Sequence, residues 1–198
     1  MSGEVETGAV EPAGRPWLLV IAGRPGTGKT TLAKGLASTT RACYLRVDAV
    51  ETALGRLRND VGADGYVVIH ELAASNLMLG TNVIVDAVNP VPEARAGWRS
   101  TADVAGARLI VIETSLTDEG EHRRRVENRT PDIPGQRVPT WQDVQHDGWV
   151  PWDVQRDGAR TLIDTADDSA ALSTALTLVH EGMHDPAARR WGAALSRH

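Results

Sequence analysis

Apolar and β-branched runs alternate along this chain with stretches of helical periodicity, the order expected of βαβ units stacked around a parallel sheet. WLLVIA, Trp17 to Ala22, reads as a buried strand, and a helix is expected from about Lys29 to Ser38. CYLRV gives a second short strand ending at Asp48, and a helix carrying Leu54 and Leu57 on one face begins near Val50. The run from Tyr66 to Leu79 is too long for a typical strand and ends at Gly80, so it reads as a helix. VIVD, Val83 to Asp86, is a compact buried strand. PVPEARAGWRSTADVAG predicts a helix opened by prolines and closed by Gly106. RLIVIETS gives a fourth strand, and Thr117 to Arg129 reads as a charged helix. From Thr130 to Asp153 the periodicity is lost in a segment rich in proline and tryptophan. A fifth strand is expected over Arg160 to Thr165. The last helix then places Leu172, Leu176, Val179 and Met183 on one face.

The 198 residues suit one domain with a sizeable core. The expected division is a mobile arm over 1–15, a single domain over 16–183 with a lid and cap at about 117–153, and a tail over 184–198. A net charge of -5 gives no sign of a nucleic-acid or membrane binder. The single cysteine, Cys43, leaves no internal disulfide and fits a reducing, cytoplasmic setting. No apolar run is long enough to span a bilayer, and the acidic N-terminal stretch lacks the apolar core of a secretory signal.

Chemistry enters between the first strand and the first helix. Gly23-Arg24-Pro25-Gly26-Thr27-Gly28-Lys29-Thr30 matches G-x-x-x-x-G-K-[ST] in the strand-then-helix context that the motif requires. Backbone N–H groups there can curl around phosphates, and glycine permits the close approach. The following helix points its positive end at the same place. The expected nucleotide-binding set is therefore Gly23, Pro25, Gly26, Thr27, Gly28, Lys29, Thr30 and Thr31. Lys29 should reach the β- and γ-phosphates of ATP, and Thr30 should ligate Mg²⁺. Asp86, at the end of VIVD, is the candidate second carboxylate for the metal.

A phosphate loop leaves three classes open: a kinase, a switch or motor, and a binding module. Asp48 argues for an acceptor pocket. It sits at the carboxyl end of a strand, where ligands bind in open α/β sheets, and could orient or deprotonate a hydroxyl. Capping the next helix is its alternative role. In EHRRRVENR, Arg125 and Arg129 share a helical face, with His122 on the same side, and could stabilise charge on a transferring phosphoryl group. The alternative there is a solvated, salt-bridged helix. Trp141, Trp149 and Trp152 either pack the long segment onto the body or wall a substrate pocket.

With these residues in view, the chain resembles the P-loop small-molecule kinases. That group holds gluconate, shikimate and adenylylsulfate kinases, chloramphenicol phosphotransferase, and the kinase part of polynucleotide kinases and zeta toxins. More closely it resembles bacterial proteins labelled AAA family ATPase or predicted kinase, through GRPGTGKTTLA, LRVDAVETAL, VIVDAVNP and EHRRRVENRTPDIPG followed by PTW and PWD. The resemblance implies a three-layer α/β/α fold with a five-stranded parallel sheet in order 2-3-1-4-5. It implies Asp48 as the hydroxyl-activating aspartate, Arg125 and Arg129 in the lid, Asn89 toward the acceptor, and Asp164 and Thr165 near the adenine. Adenylylsulfate- and shikimate-specific signatures are missing, as are the sensor and arginine-finger modules of a ring-forming AAA machine. The reading is an ATP- and Mg²⁺-dependent phosphotransferase with a small-molecule hydroxyl acceptor (a sugar, a nucleoside or a hydroxylated antibiotic). A nucleotide-dependent regulatory ATPase with a protein partner is the alternative. A polynucleotide acceptor fits less well, because no broad basic surface accompanies the lid arginines.

Overall fold

The computed structural model describes residues 14–58 and 60–183. Trp17–Ala22 (β1), Cys43–Arg46 (β2), Val83–Asp86 (β3), Arg108–Ser115 (β4) and Thr161–Asp164 (β5) form one parallel sheet in the order β2-β3-β1-β4-β5. The helices are Lys29–Thr40 (α1), Val47–Gly55 (α2), Asp64–Met78 (α3), Pro92–Val104 (α4), Glu119–Glu127 (α5), Trp141–Gln145 (α6), Val154–Asp157 (α7) and Asp168–Met183 (α8). This is the P-loop α/β architecture and strand order that the resemblance implies. None of the described helices is long and apolar enough to cross a membrane.

β1 is buried along its whole length because both its faces are covered. Trp17, Leu19 and Ile21 join Ile84, Ile112 and Ile163 under α1 and α8, against Leu32, Leu36, Ala171, Ala175 and Val179. Leu18 and Val20 join Val83 and Val85 on the opposite face, against Ile69, Ala73 and Leu77 of α3 and Trp98 and Ala102 of α4. The buried stripe of α8 is thus Ala171, Ala175 and Val179, with Leu172 and Leu176 flanking it rather than centring it. Small residues are needed there to let α8 lie close to α1, where Leu172 reaches the space beside Gly35.

Three local expectations change. β2 stops at Arg46, so Asp48 lies in the first turn of α2, not at a strand end. α5 ends at Glu127, which leaves Arg129 in the chain beyond it. The irregular segment holds one short helix, α6, with α7 directly after it, and Thr140 caps α6 through a reciprocal capping box with Asp143. The arm over 1–15 lies outside the described residues except for Gly14 and Arg15, and the tail over 184–198 lies wholly outside them. Arg15 donates to the carbonyls of Gly106 and Ala107, which ties the chain down ahead of β1.

Candidate active site

The sheet register builds the site floor. Ile21 and Arg46 are both Cα partners of Asp86, so the carboxyl ends of β1, β3 and β2 lie level. A cavity of about 860 Å³ opens above them. Pro25, Gly26, Gly28, Lys29, Thr30 and Thr31 line it, together with Asp48, Arg125 and Arg129.

The other loop residues face inward and hold the loop. Thr27 is buried, and its hydroxyl bonds the Arg24 carbonyl and the Thr114 hydroxyl. Gly23 is required by packing: a Cβ there would lie 2.4 Å from Thr114 Oγ1, at a φ of +138°. At Gly26 a Cβ would meet Val126 of α5 at 2.5 Å, so the lid helix rests directly on the phosphate loop. His122 joins the two, its Nε2 donating to the Pro25 carbonyl at 2.7 Å with Trp141 edge-on to its ring. A carbonyl only accepts, which fixes the proton on Nε2. His122 therefore anchors α5 and does not face the cavity with the arginines.

Lys29 folds back onto the Arg24 carbonyl at 2.9 Å. Burial pushes its ammonium down to about 8, against the pull of Asp86 and Asp48. Thr30 donates to Asp86 Oδ2 at 2.7 Å, and the Tyr44 hydroxyl donates to the same oxygen at 3.0 Å. Burial and Asp86 hold the Tyr44 phenol protonated well above its usual range. Thr30 and Asp86 together offer hard oxygen ligands beside the phosphate loop, the donor set that suits Mg²⁺ shared with phosphate oxygens and water. Among the described residues no group of three or more His, Cys, Asp or Glu side chains could hold a metal alone, so nucleotide phosphates would have to complete the coordination.

Asp48 caps no helix. Its Oδ2 accepts from Arg46 at 3.2 Å and from Gln136 at 2.8 Å, with Arg129 at 3.7 Å. Arg46 is the hub that the sequence reading missed. It is almost fully buried, and it binds both oxygens of Asp132 at 2.9 and 2.8 Å while Asp86 lies 3.6 Å away. Lys34 of α1 donates to Asp132 as well. Both donors hold the Asp132 carboxyl down at about 2. Arg125 is set by Glu121 at 2.7 Å and by the Thr165 carbonyl at 3.0 Å.

Beyond the inward-facing loop residues, three further expected site residues are not brought to this cavity. Asn89 is 1% exposed and sits at a φ of 56°, its Oδ1 accepting from Trp98 Nε1 at 2.7 Å. It holds α4 to the chain just past β3 and does not line the cavity. Trp149 lies between Arg24 and Arg95, with their guanidinium carbons 5.9 and 5.3 Å from its ring centre, behind the phosphate loop. Asp164, the exposed last residue of β5, accepts from Thr117 and Ala166. Its neighbour Thr165 is the buried one, bonding the Thr27 carbonyl at 2.9 Å.

Solved structures share the architecture. A candidate kinase of Chloroflexus aurantiacus matches with a TM-score of 0.67 and 21% identity, over 84% of this chain and 98% of its own. Kti12 of Chaetomium thermophilum, solved with ADP-AlF3, matches with a TM-score of 0.63 and 19% identity, over 85% and 100%. A sugar kinase of Janibacter sp. matches with a TM-score of 0.59 and 16% identity, over 83% and 95%. At these identities the likeness is one of fold. A search of curated proteins finds no match. The AAA domain family model, however, matches residues 18–144, from the strand ahead of the phosphate loop to the start of the cap, and the chain belongs to that family.

Proposed function

We propose that the chain is an ATP-dependent phosphotransferase that moves the γ-phosphate to a hydroxyl of a small molecule. One observation carries this reading: a single cavity is lined by the phosphate loop, with Lys29 and with Thr30 bonded to Asp86, and also by a carboxylate, Asp48, whose Oδ1 takes no hydrogen bond among the described residues. A nucleotide switch needs the first feature and has no use for the second. The fold likeness to proteins described as kinases supports the reading.

In this mechanism the backbone amides of Gly26 and Gly28, with Lys29, hold the triphosphate. Thr30 and Asp86 would hold Mg²⁺, which would neutralise phosphate charge when bound. Asp48 Oδ1 accepts the hydroxyl proton as the hydroxyl oxygen bonds to the γ-phosphorus. The bond from that phosphorus to the β–γ bridging oxygen breaks, and ADP leaves. Arg125 and Arg129 stabilise the charge spread over the equatorial oxygens. The lid packed on the loop excludes water, which protects ATP from hydrolysis.

The test separates the two ends of the cavity. Asp48→Asn is expected to bind ATP within about threefold of the parent and to lose acceptor-dependent turnover by about a thousandfold. Lys29→Ala is expected to lose both. Loss of ATP binding in Asp48→Asn would assign Asp48 to the metal site or the fold and remove the acceptor role. Kti12, which shares the fold, was solved with ADP-AlF3, and a second reading for this chain is a nucleotide-dependent regulatory ATPase that works with a protein partner. It predicts Lys29-dependent hydrolysis that no small hydroxyl compound stimulates.

A further inference from the structure

Helix α2 presents one whole face to the cavity. Asp48, Glu51, Thr52, Gly55 and Arg56 all line it, at the i, i+3, i+4, i+7, i+8 spacing of a single stripe. Gln136, from the loop beyond α5, lines the cavity too and reaches Asp48.

The hydrogen bonds around Asp48 leave a specific deficit. A carboxylate can only accept, so the contact from Gln136 must come from Nε2, and Oε1 points elsewhere. That Oε1 is buried and takes no hydrogen bond. All three groups on Asp48, namely Arg46, Gln136 and Arg129, approach Oδ2, so Oδ1 takes none among the described residues. Glu51, half-buried against Gly65 one turn from Asp48, has no hydrogen-bond or ion-pair partner among the described residues. Buried polar groups without partners are rare in folded proteins, and one in this cavity wall, near a half-buried unpaired Glu51 and a free carboxylate oxygen, calls for a ligand.

Three acceptor groups without partners among the described residues therefore belong to residues that line one cavity: Asp48 Oδ1, the Glu51 carboxyl and Gln136 Oε1. The reacting hydroxyl uses only the first. We propose that Glu51 and Gln136 form a specificity-determining pair that reads further hydrogen-bond donors beside the phosphorylated hydroxyl. The acceptor is then a compound with donors on neighbouring carbons, such as a polyhydroxylated or an aminated sugar, and not an isolated alcohol. This rests on the phosphotransferase reading above. Gln136 carries both halves of the recognition, since the amide that accepts from the substrate also donates to the carboxylate that takes the proton. A site built to hydrogen-bond a donor rejects the analogue that lacks it far more strongly than an apolar pocket rejects a methylene.

The experiment is ADP release from Mg-ATP against three probe pools: neutral sugars, polyols and nucleosides; amino sugars; and alcohols bearing one isolated hydroxyl. One of the first two pools is expected to stimulate release with a kcat/KM at least tenfold above the third, and which of them does so separates hydroxyl from ammonium donors. For the compound accepted, the deoxy analogue lacking the neighbouring donor is compared in the parent, Glu51→Leu, Glu51→Gln and Gln136→Leu. Each leucine variant is expected to narrow the parent-to-deoxy ratio in kcat/KM by at least tenfold. Glu51→Gln, which keeps one acceptor oxygen, is expected to narrow it less. The ratio is taken within each variant, so a loss of folded fraction cancels. Equal use of isolated alcohols, or variants that lower both substrates by the same factor, would overturn the donor-reading pair and leave the phosphotransferase standing. Stimulation by none of the pools, with Lys29-dependent hydrolysis intact, would overturn the phosphotransferase reading and this inference with it.

Discussion

Arg46 and Arg95 are both taken out of water, with side chains 5% and 1% exposed, yet they are held in opposite ways. Arg95 is fixed by groups that cannot leave. Nε donates to the Asn89 carbonyl at 3.0 Å, and one terminal nitrogen reaches the carbonyls of Pro90 and Val150. The other terminal nitrogen meets Asp157 at 2.8 Å, and Trp152 lies 4.7 Å from the guanidinium carbon. Arg46 has carboxylates as its partners, Asp132, Asp48 and Asp86, while its Nε stays buried without a hydrogen bond. Two of those carboxylates, Asp48 and Asp132, line the open cavity themselves. Backbone carbonyls and stacked rings make Arg95 a clamp that joins β3, α4 and α7. Contacts to Asp86, Asp48 and Asp132 make Arg46 a relay, under the proposed function, between the metal end, the acceptor end and the lid.

The comparison predicts opposite mutational profiles. Arg95→Met should have the largest effect on stability, a loss of about 3–5 kcal/mol in urea unfolding, because Asp157 is left in the interior with Arg156 as its remaining charged partner among the described residues and the Asp153 N–H as a further donor. Turnover per folded molecule should survive. Arg46→Met should lose less stability, about 1–2 kcal/mol, since Lys34 still holds Asp132 and Thr30 and Tyr44 still hold Asp86. Its turnover should fall about a hundredfold, as Asp48 loses a fixed orientation. A relay variant that is as unstable as the clamp variant and fully active when folded would erase the distinction.

The lid contact sharpens the comparison further. Asp132→Asn should cost no more than about 1 kcal/mol, because Asp132 and Lys34 are well exposed. It should raise the KM for ATP, since the lid loses its charged tie to α1 and β2. The smallest effect is a pH dependence. Asp132 is held below its unfolded value, so its pairing contributes stability that is complete above about pH 4. That contribution is lost as pH falls toward about 2. Unfolding midpoints for the parent should therefore drop faster across this window than those of Asp132→Asn.

The same contrast explains what the sequence made legible. The phosphate loop could be read because its glycines, lysine and threonine are contiguous and its geometry is a property of the backbone. Asp86 could be read because it closes a short apolar strand whose neighbours are set by topology. The relay was hidden: Arg46 reaches Asp132 from 86 residues away, and Gln136 reaches Asp48 from 88. No local period reports such a pairing. The polar stripe of α2 did leave a signal, in the spacing of Asp48, Glu51, Thr52 and Arg56, but placing the helix start near Val50 broke it. Asn89 and Trp149 were misplaced because side chains just past a strand, or in a segment without periodicity, take directions from tertiary partners such as Trp98 and Arg95.

The most direct test of the two-ended cavity follows the labelled γ-phosphate of ATP in the presence of a pooled set of small hydroxyl compounds, with Lys29→Ala as the blank. The structure predicts label on an organic product, lost in both Lys29→Ala and Asp48→Asn. Label that appears only as inorganic phosphate, at a rate no compound changes and Asp48→Asn leaves intact, would contradict it.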